Sequence, residues 1–187
     1  MIATEQRLTY LLALSTTLRG VSVAMQWHEQ EEKAIGQIIQ SLHGLRAVGA
    51  SLGQDTALAQ LLHVYWKAGR NEEGHAALAQ SMELIGRQGS DWWECEMLRL
   101  GGELELQRPI HDWGKAEAYF QRALEIARRQ SAKGWELRVV MSLSRLWNQQ
   151  GKRQEAQHWL SEIYGWFTEG FDTTDLKEAK ALLGQHT

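Results

Sequence analysis

Apolar positions recur along this chain at the three-to-four-residue spacing that lines one face of a helix, which predicts a run of amphipathic helices. They are expected at about 5–26, 31–48, 55–68, 72–87, 92–107, 114–130, 135–150, 153–167 and 174–184. The pattern also repeats. Placing Arg87-Gln88 on Arg129-Gln130 brings Trp93-Glu94 onto Trp135-Glu136 and Leu104 onto Leu146, an offset of 42 residues. The stretch Lys67 to His75 likewise resembles Gln149 to Gln157: a helix end, a glycine suited to a left-handed cap, and a polar helix start. A small residue opens the second helix of each repeat at Ala34, Gly74, Ala116 and Ala156, with spacings of 40, 42 and 40. One turn on stand Ile38, Leu78, Phe120 and Leu160, and two turns on Leu42, Met82, Leu124 and Tyr164. Residues four apart share a helix face, so the small residue lets two helices approach and the large one fills the space beside it.

The eight longer helices are expected to form four antiparallel pairs, at about 5–48, 55–87, 92–130 and 135–167. The ninth, 174–184, carries Leu176, Ala179, Leu182 and Leu183 on one side and Lys177, Glu178 and Lys180 on the other. An amphipathic helix placed last closes the open end of a stacked-helix core. No linker interrupts the array. The longest irregular stretch, Arg108 to Trp113, holds the only proline, Pro109. The expectation is a single all-α solenoid domain over 1–187.

Composition sharpens this reading mostly by exclusion. One proline in 187 residues disfavours a loop-rich or all-β chain. A net charge of −3 argues against a nucleic-acid partner, which would call for a basic stripe with interleaved aromatics. Residues 7–24 have the outline of a signal peptide, but Glu5, Ser15, Thr16, Thr17 and Arg19 interrupt it, and a buried helix fits better. No apolar run approaches a membrane span, so a cytoplasmic chain without membrane contact is expected.

Chemistry-bearing residues are sparse. Of seven histidines only His28, with Glu32, has a ligand-like spacing, and two ligands do not make a metal site. Cys95, the single cysteine, lies between Glu94 and Glu96, and neighbouring acid raises a thiol pKa rather than lowering it. No acid–base or nucleophile constellation appears, so no enzyme, cofactor or metal is expected. The nine tryptophans are read mainly as inter-helix packing. Trp66 is the exception, because adjacent Tyr65 better suits the core and leaves Trp66 facing the inner groove.

Helix pairs with an alanine followed one turn later by an aromatic or leucine, after a glycine-containing turn, resemble the tetratricopeptide repeat, here in a form near 40 residues. More specifically, Asp91 to Leu104, Ala116 to Leu124, Ser142 to Trp147 and Ile163 to Thr173 are similar to the C-terminal repeat region of large bacterial signalling ATPases, many with a cyclase domain. The resemblance implies a right-handed superhelix whose first helices line a concave face. Transferred residue by residue, that face holds His63, Trp66 and Lys67, then Arg99, Glu103 and Gln107, then Arg138, Arg145, Asn148 and Gln149. Such a surface suits an acidic peptide or helix gripped by arginine. The resemblance implies a non-catalytic interaction or scaffold module whose partner is a protein or peptide, including an upstream ATPase or cyclase domain. The alternative is a small-ligand sensor, for example of oligosaccharides, using Trp66 in the groove. No G-x-x-x-x-G-K-[ST] stretch occurs, so ATP hydrolysis and cyclase activity are not carried over. The first helix, with Leu8, Leu11, Leu12, Leu14 and Leu18 and no cap before it, suggests a homo-oligomer through the N-terminal pair or a chain that is the C-terminal piece of a longer protein.

Overall fold

The computed structural model describes residues 31–50, 53–88 and 93–184. The helix expected at 5–26, the oligomer surface assigned to it, and Trp27, His28 and Trp92 lie outside the described residues. Among those described there are eight helices and no strand. They are α1 (Glu31–Ala47), α2 (Gln54–Lys67), α3 (Asn71–Gln88), α4 (Glu94–Gln107), α5 (Trp113–Arg129), α6 (Lys133–Gln149), α7 (Arg153–Tyr164) and α8 (Thr174–Gly184). The chain divides into two compact units, one ending at Trp93 and one beginning at Glu94.

In the first unit α2 packs against both α1 and α3. In the second, each helix packs on its sequence neighbour, α4 also touches α6, and α6 also touches α8. The repeat reappears inside the units. The start and end of α1, the end of α2 and the start of α3 each recur 82 residues later, in α5, α6 and α7.

The residues that defined the repeat are the ones that pack. Ala34, Ala116 and Ala156 have no exposed surface, and Gly74 is buried with them. Ile38, Leu78, Phe120 and Leu160, one turn on, are buried as well. Burying side chains of this size contributes about 1.5–3 kcal/mol each, so these positions outweigh any local propensity. Phe120 fills its space completely: a Cβ built on Gly102 of α4 would collide with its ring. Two turns on, Leu42 and Leu124 are buried, while Met82 and Tyr164 are only partly covered.

Four helix ends share one device. The chain turns left-handed at Gly49 (φ 64°), Gly69 (φ 67°), Ser131 (φ 55°) and Gly151 (φ 80°). The next amide then reaches back to a carbonyl in the last turn: Ala50 N to Leu45 O (2.9 Å), Arg70 N to Tyr65 O (2.9 Å), Ala132 N to Ala127 O (2.9 Å) and Lys152 N to Trp147 O (2.8 Å). This satisfies carbonyls that a helix end otherwise leaves open. Serine at the third of these places hides the turn from a sequence search, because glycine is the usual signal.

Some boundaries shift. The helix expected at 153–167 stops at Tyr164, with Gly165 as its C-terminal cap, and Tyr164 then meets the Phe171 ring at 5.8 Å. After α4 the chain leaves Ile110 almost wholly exposed, and Asp112 Oδ1 restarts the helix by accepting from Lys115 N (2.9 Å). In α8, Leu176, Ala179 and Leu182 are buried, as the apolar stripe requires, and Leu183 is partly covered.

Candidate functional site

Of the three groups of residues expected on the inner face, the first stands in the first unit and the other two in the second. In the first, Tyr65 is buried and Trp66 is half-buried, as their order in the helix demands. His63, one turn before Trp66, sits edge-on to its indole with ring centroids 5.5 Å apart. Lys67 is exposed. Close by, Arg70 ties α1 to α3, meeting Glu32 at 2.7 Å and Glu73 at 2.6 Å, and its guanidinium lies 5.3 Å from the Tyr65 ring centre.

The second unit draws three of the expected residues into one charged network. Arg99 of α4 is only 4% exposed. Its Nε donates to Glu96 Oε2 (2.7 Å) and its Nη2 to Glu96 Oε1 (2.9 Å), a two-pronged pairing within one turn of helix. Its Nη1 faces Glu103 Oε1 (3.3 Å) and donates to Ser142 Oγ (3.2 Å), and that hydroxyl donates in turn to Glu103 Oε1 (2.6 Å). Burial works against the Arg99 charge, but Glu96 and Glu103 outweigh it and hold its pKa above the usual arginine range. Arg99 therefore presents no open guanidinium, contrary to the expectation that it grips a ligand. The reason is local: a glutamate three residues before it and another four residues after it share its helix face.

Arg138 of α6 extends the network. It meets Glu96 Oε1 at 3.0 Å, lies 5.3 Å from the Trp135 ring centre, and approaches Asp175 of α8 at 4.0 Å. Two turns along α6, Arg145 meets Glu178 of α8 at 3.5 Å. Both arginines remain partly exposed, so these contacts with α8 are worth about 0–1 kcal/mol each. Asn148 is partly covered, while Gln107 and Gln149 are exposed. The basic row expected from the sequence is thus met by acidic residues. Glu96 was legible from its spacing to Arg99, whereas Ser142, Asp175 and Glu178 depend on tertiary packing and leave no signal in a single chain.

Cys95 lies beside this network with no exposed surface. Burial, reinforced by Glu96 and opposed by Arg99 and Arg138, pushes its thiol up to about 12. Such a thiol stays protonated and is a poor nucleophile. Among the described residues no group of three or more His, Cys, Asp or Glu side chains is placed to hold a metal ion, and no helix is long and apolar enough to cross a membrane. Comparison with known proteins returns no matching family model and no matching curated relative.

Proposed function

We propose that this chain is a non-catalytic interaction module whose α6 face receives an acidic helix or peptide of a protein partner. The repeat resemblance supports the same reading, and points to the regulatory C-terminal region of a bacterial signalling ATPase or cyclase-like protein in the cytoplasm. One observation carries the reading. Arg138 and Arg145 stand two turns apart on one helix, partly open, and each already meets an acidic side chain of an amphipathic helix, α8. Stacked helices offer broad surfaces of this kind without a catalytic pocket.

The test is binding of a fluorescein-labelled acidic amphipathic peptide, with Arg138→Glu/Arg145→Glu as the variant and far-UV circular dichroism as the control for folding. Binding that falls about tenfold or more in the folded variant supports the reading. Equal binding by the variant and the parent chain removes it.

A further inference from the structure

The second unit also holds a cavity of about 290 Å³ that the interaction reading does not use. Arg128 from the end of α5, Lys133 and Glu136 from the start of α6, Trp159 and Glu162 of α7, and Trp166 just beyond it all contribute to the lining. Its volume lies at the small end of ordinary ligand sites.

Glu136 organises the inner wall. It is buried, and its two oxygens accept from different cations: Oε1 from Arg128 Nε (2.9 Å) and Oε2 from Lys133 Nζ (2.7 Å). Two cations on one carboxylate leave that wall with one excess positive charge. Glu162, the remaining acid, is exposed, as Arg128 is, so the excess belongs to the inner wall and not to the lining as a whole. Among the described residues, only the Nε–H of Arg128 is spent on Glu136, so its terminal amino groups keep donors for an anion.

Each cation also has an aromatic neighbour. The Arg128 guanidinium lies 4.9 Å from the Trp159 ring centre, and Lys133 Nζ lies 5.9 Å from that of Trp166. Trp159 is braced edge-on against buried Trp147 at 5.5 Å. Trp166 is different. It is 58% exposed and makes an edge contact with Phe167 at 5.2 Å. An indole left open beside preset cations is a stacking platform with a charge anchor next to it.

We propose that this cavity binds a small molecule that has a flat aromatic ring system and one anionic group, either a carboxylate or a phosphate. The ring stacks on Trp166, and the anionic group takes hydrogen bonds from the terminal amino groups of Arg128 and from Lys133. The site is separate from Arg138 and Arg145, so it stands or falls independently of the interaction reading.

Equilibrium dialysis of the full chain with indole-3-carboxylate and with adenosine monophosphate tests it, against indole-3-carboxamide, adenosine and inorganic phosphate. At least one ring-bearing anion is expected to bind about tenfold more tightly than its neutral counterpart, the size of one charge-assisted hydrogen bond. Binding of only the carboxylate or only the phosphate probe names the anion, and binding of both shows that the ring and charge suffice. Trp166→Ala, at an exposed position, is expected to weaken binding while leaving the thermal midpoint unchanged, and Arg128→Gln to abolish preference over the neutral probe. The proposal is overturned if neither anion binds at about 1 mM, if the neutral probes or phosphate alone bind equally well, or if Trp166→Ala binds as the parent does.

Discussion

The two units use the same helix register to enclose different interiors. Among the described residues, the buried polar side chains of the first unit are Ser41 and Ser81. Apart from Tyr65 the rest of its core is aliphatic, built on Ile38, Leu45, Leu58 and Leu62. The second unit buries Glu94, Glu96, Arg99, Glu105 and Glu136. Each of them is paired: Glu94 with Arg122, Glu105 with Arg108 and Lys115, Glu136 with Arg128 and Lys133. Small and large apolar residues at fixed spacing are therefore enough to set the helix pattern, while the polar content of the interior is free to vary. Buried ion pairs seldom add net stability, because desolvation offsets attraction. Their cost becomes visible when one member is removed alone.

That contrast predicts the largest effect at Arg99. Arg99→Met leaves buried Glu96 with Arg138 as its cation and Glu103 with the Ser142 hydroxyl, and is expected to lower stability by about 3 kcal/mol in urea unfolding. Replacing the group together, as Glu96→Gln, Arg99→Met and Glu103→Gln, is expected to cost less than the single change. A triple variant weaker than Arg99→Met would show that the charges stabilise the second unit outright.

A smaller effect is expected at Glu136, and it depends on pH. Burial raises the carboxyl's pKa, but the hydrogen bonds from Lys133 and Arg128 outweigh it, and the net shift is downward. A carboxylate depressed in the folded state adds stability above its unfolded pKa and loses it as pH falls through the folded value. Glu136→Gln should thus be less stable than the parent by about 1–2 kcal/mol at neutral pH, with half-exposed partners keeping the figure modest. The gap should close below the ordinary carboxylate range. Thermal melts of both proteins across that range check this, and a gap constant with pH would refute the pairing.

The smallest effect compares the two copies of one turn. Gly49 and Ser131 occupy corresponding left-handed positions, after α1 and α5. Ser131→Gly should raise stability by about 0.5–1 kcal/mol, and Gly49→Ser should lower it by a similar amount. Opposite shifts in melting temperature would show that the turns are equivalent in strain as well as in shape.

These same places mark how far the sequence could be read. The recurrence of Ala34, Gly74, Ala116 and Ala156 located the helix contacts, because close approach admits only small side chains. Gly69 and Gly151 located two turns, while Ser131 concealed a third. The site was less legible. The repeat resemblance implies Arg99, Arg138 and Arg145 on a concave face, but only packing brings α8 up to Arg138 and Arg145. The Trp159–Trp166 cavity left no pattern at all, since its residues come from a helix end, a helix start and a turn.

Cys95 has a practical consequence of its own. Being the sole sulfhydryl of the chain, and sealed inside the second unit, it can meet an alkylating reagent only when that region opens. The rate of modification in native buffer then reports the frequency of those excursions in the second unit, without any engineered probe.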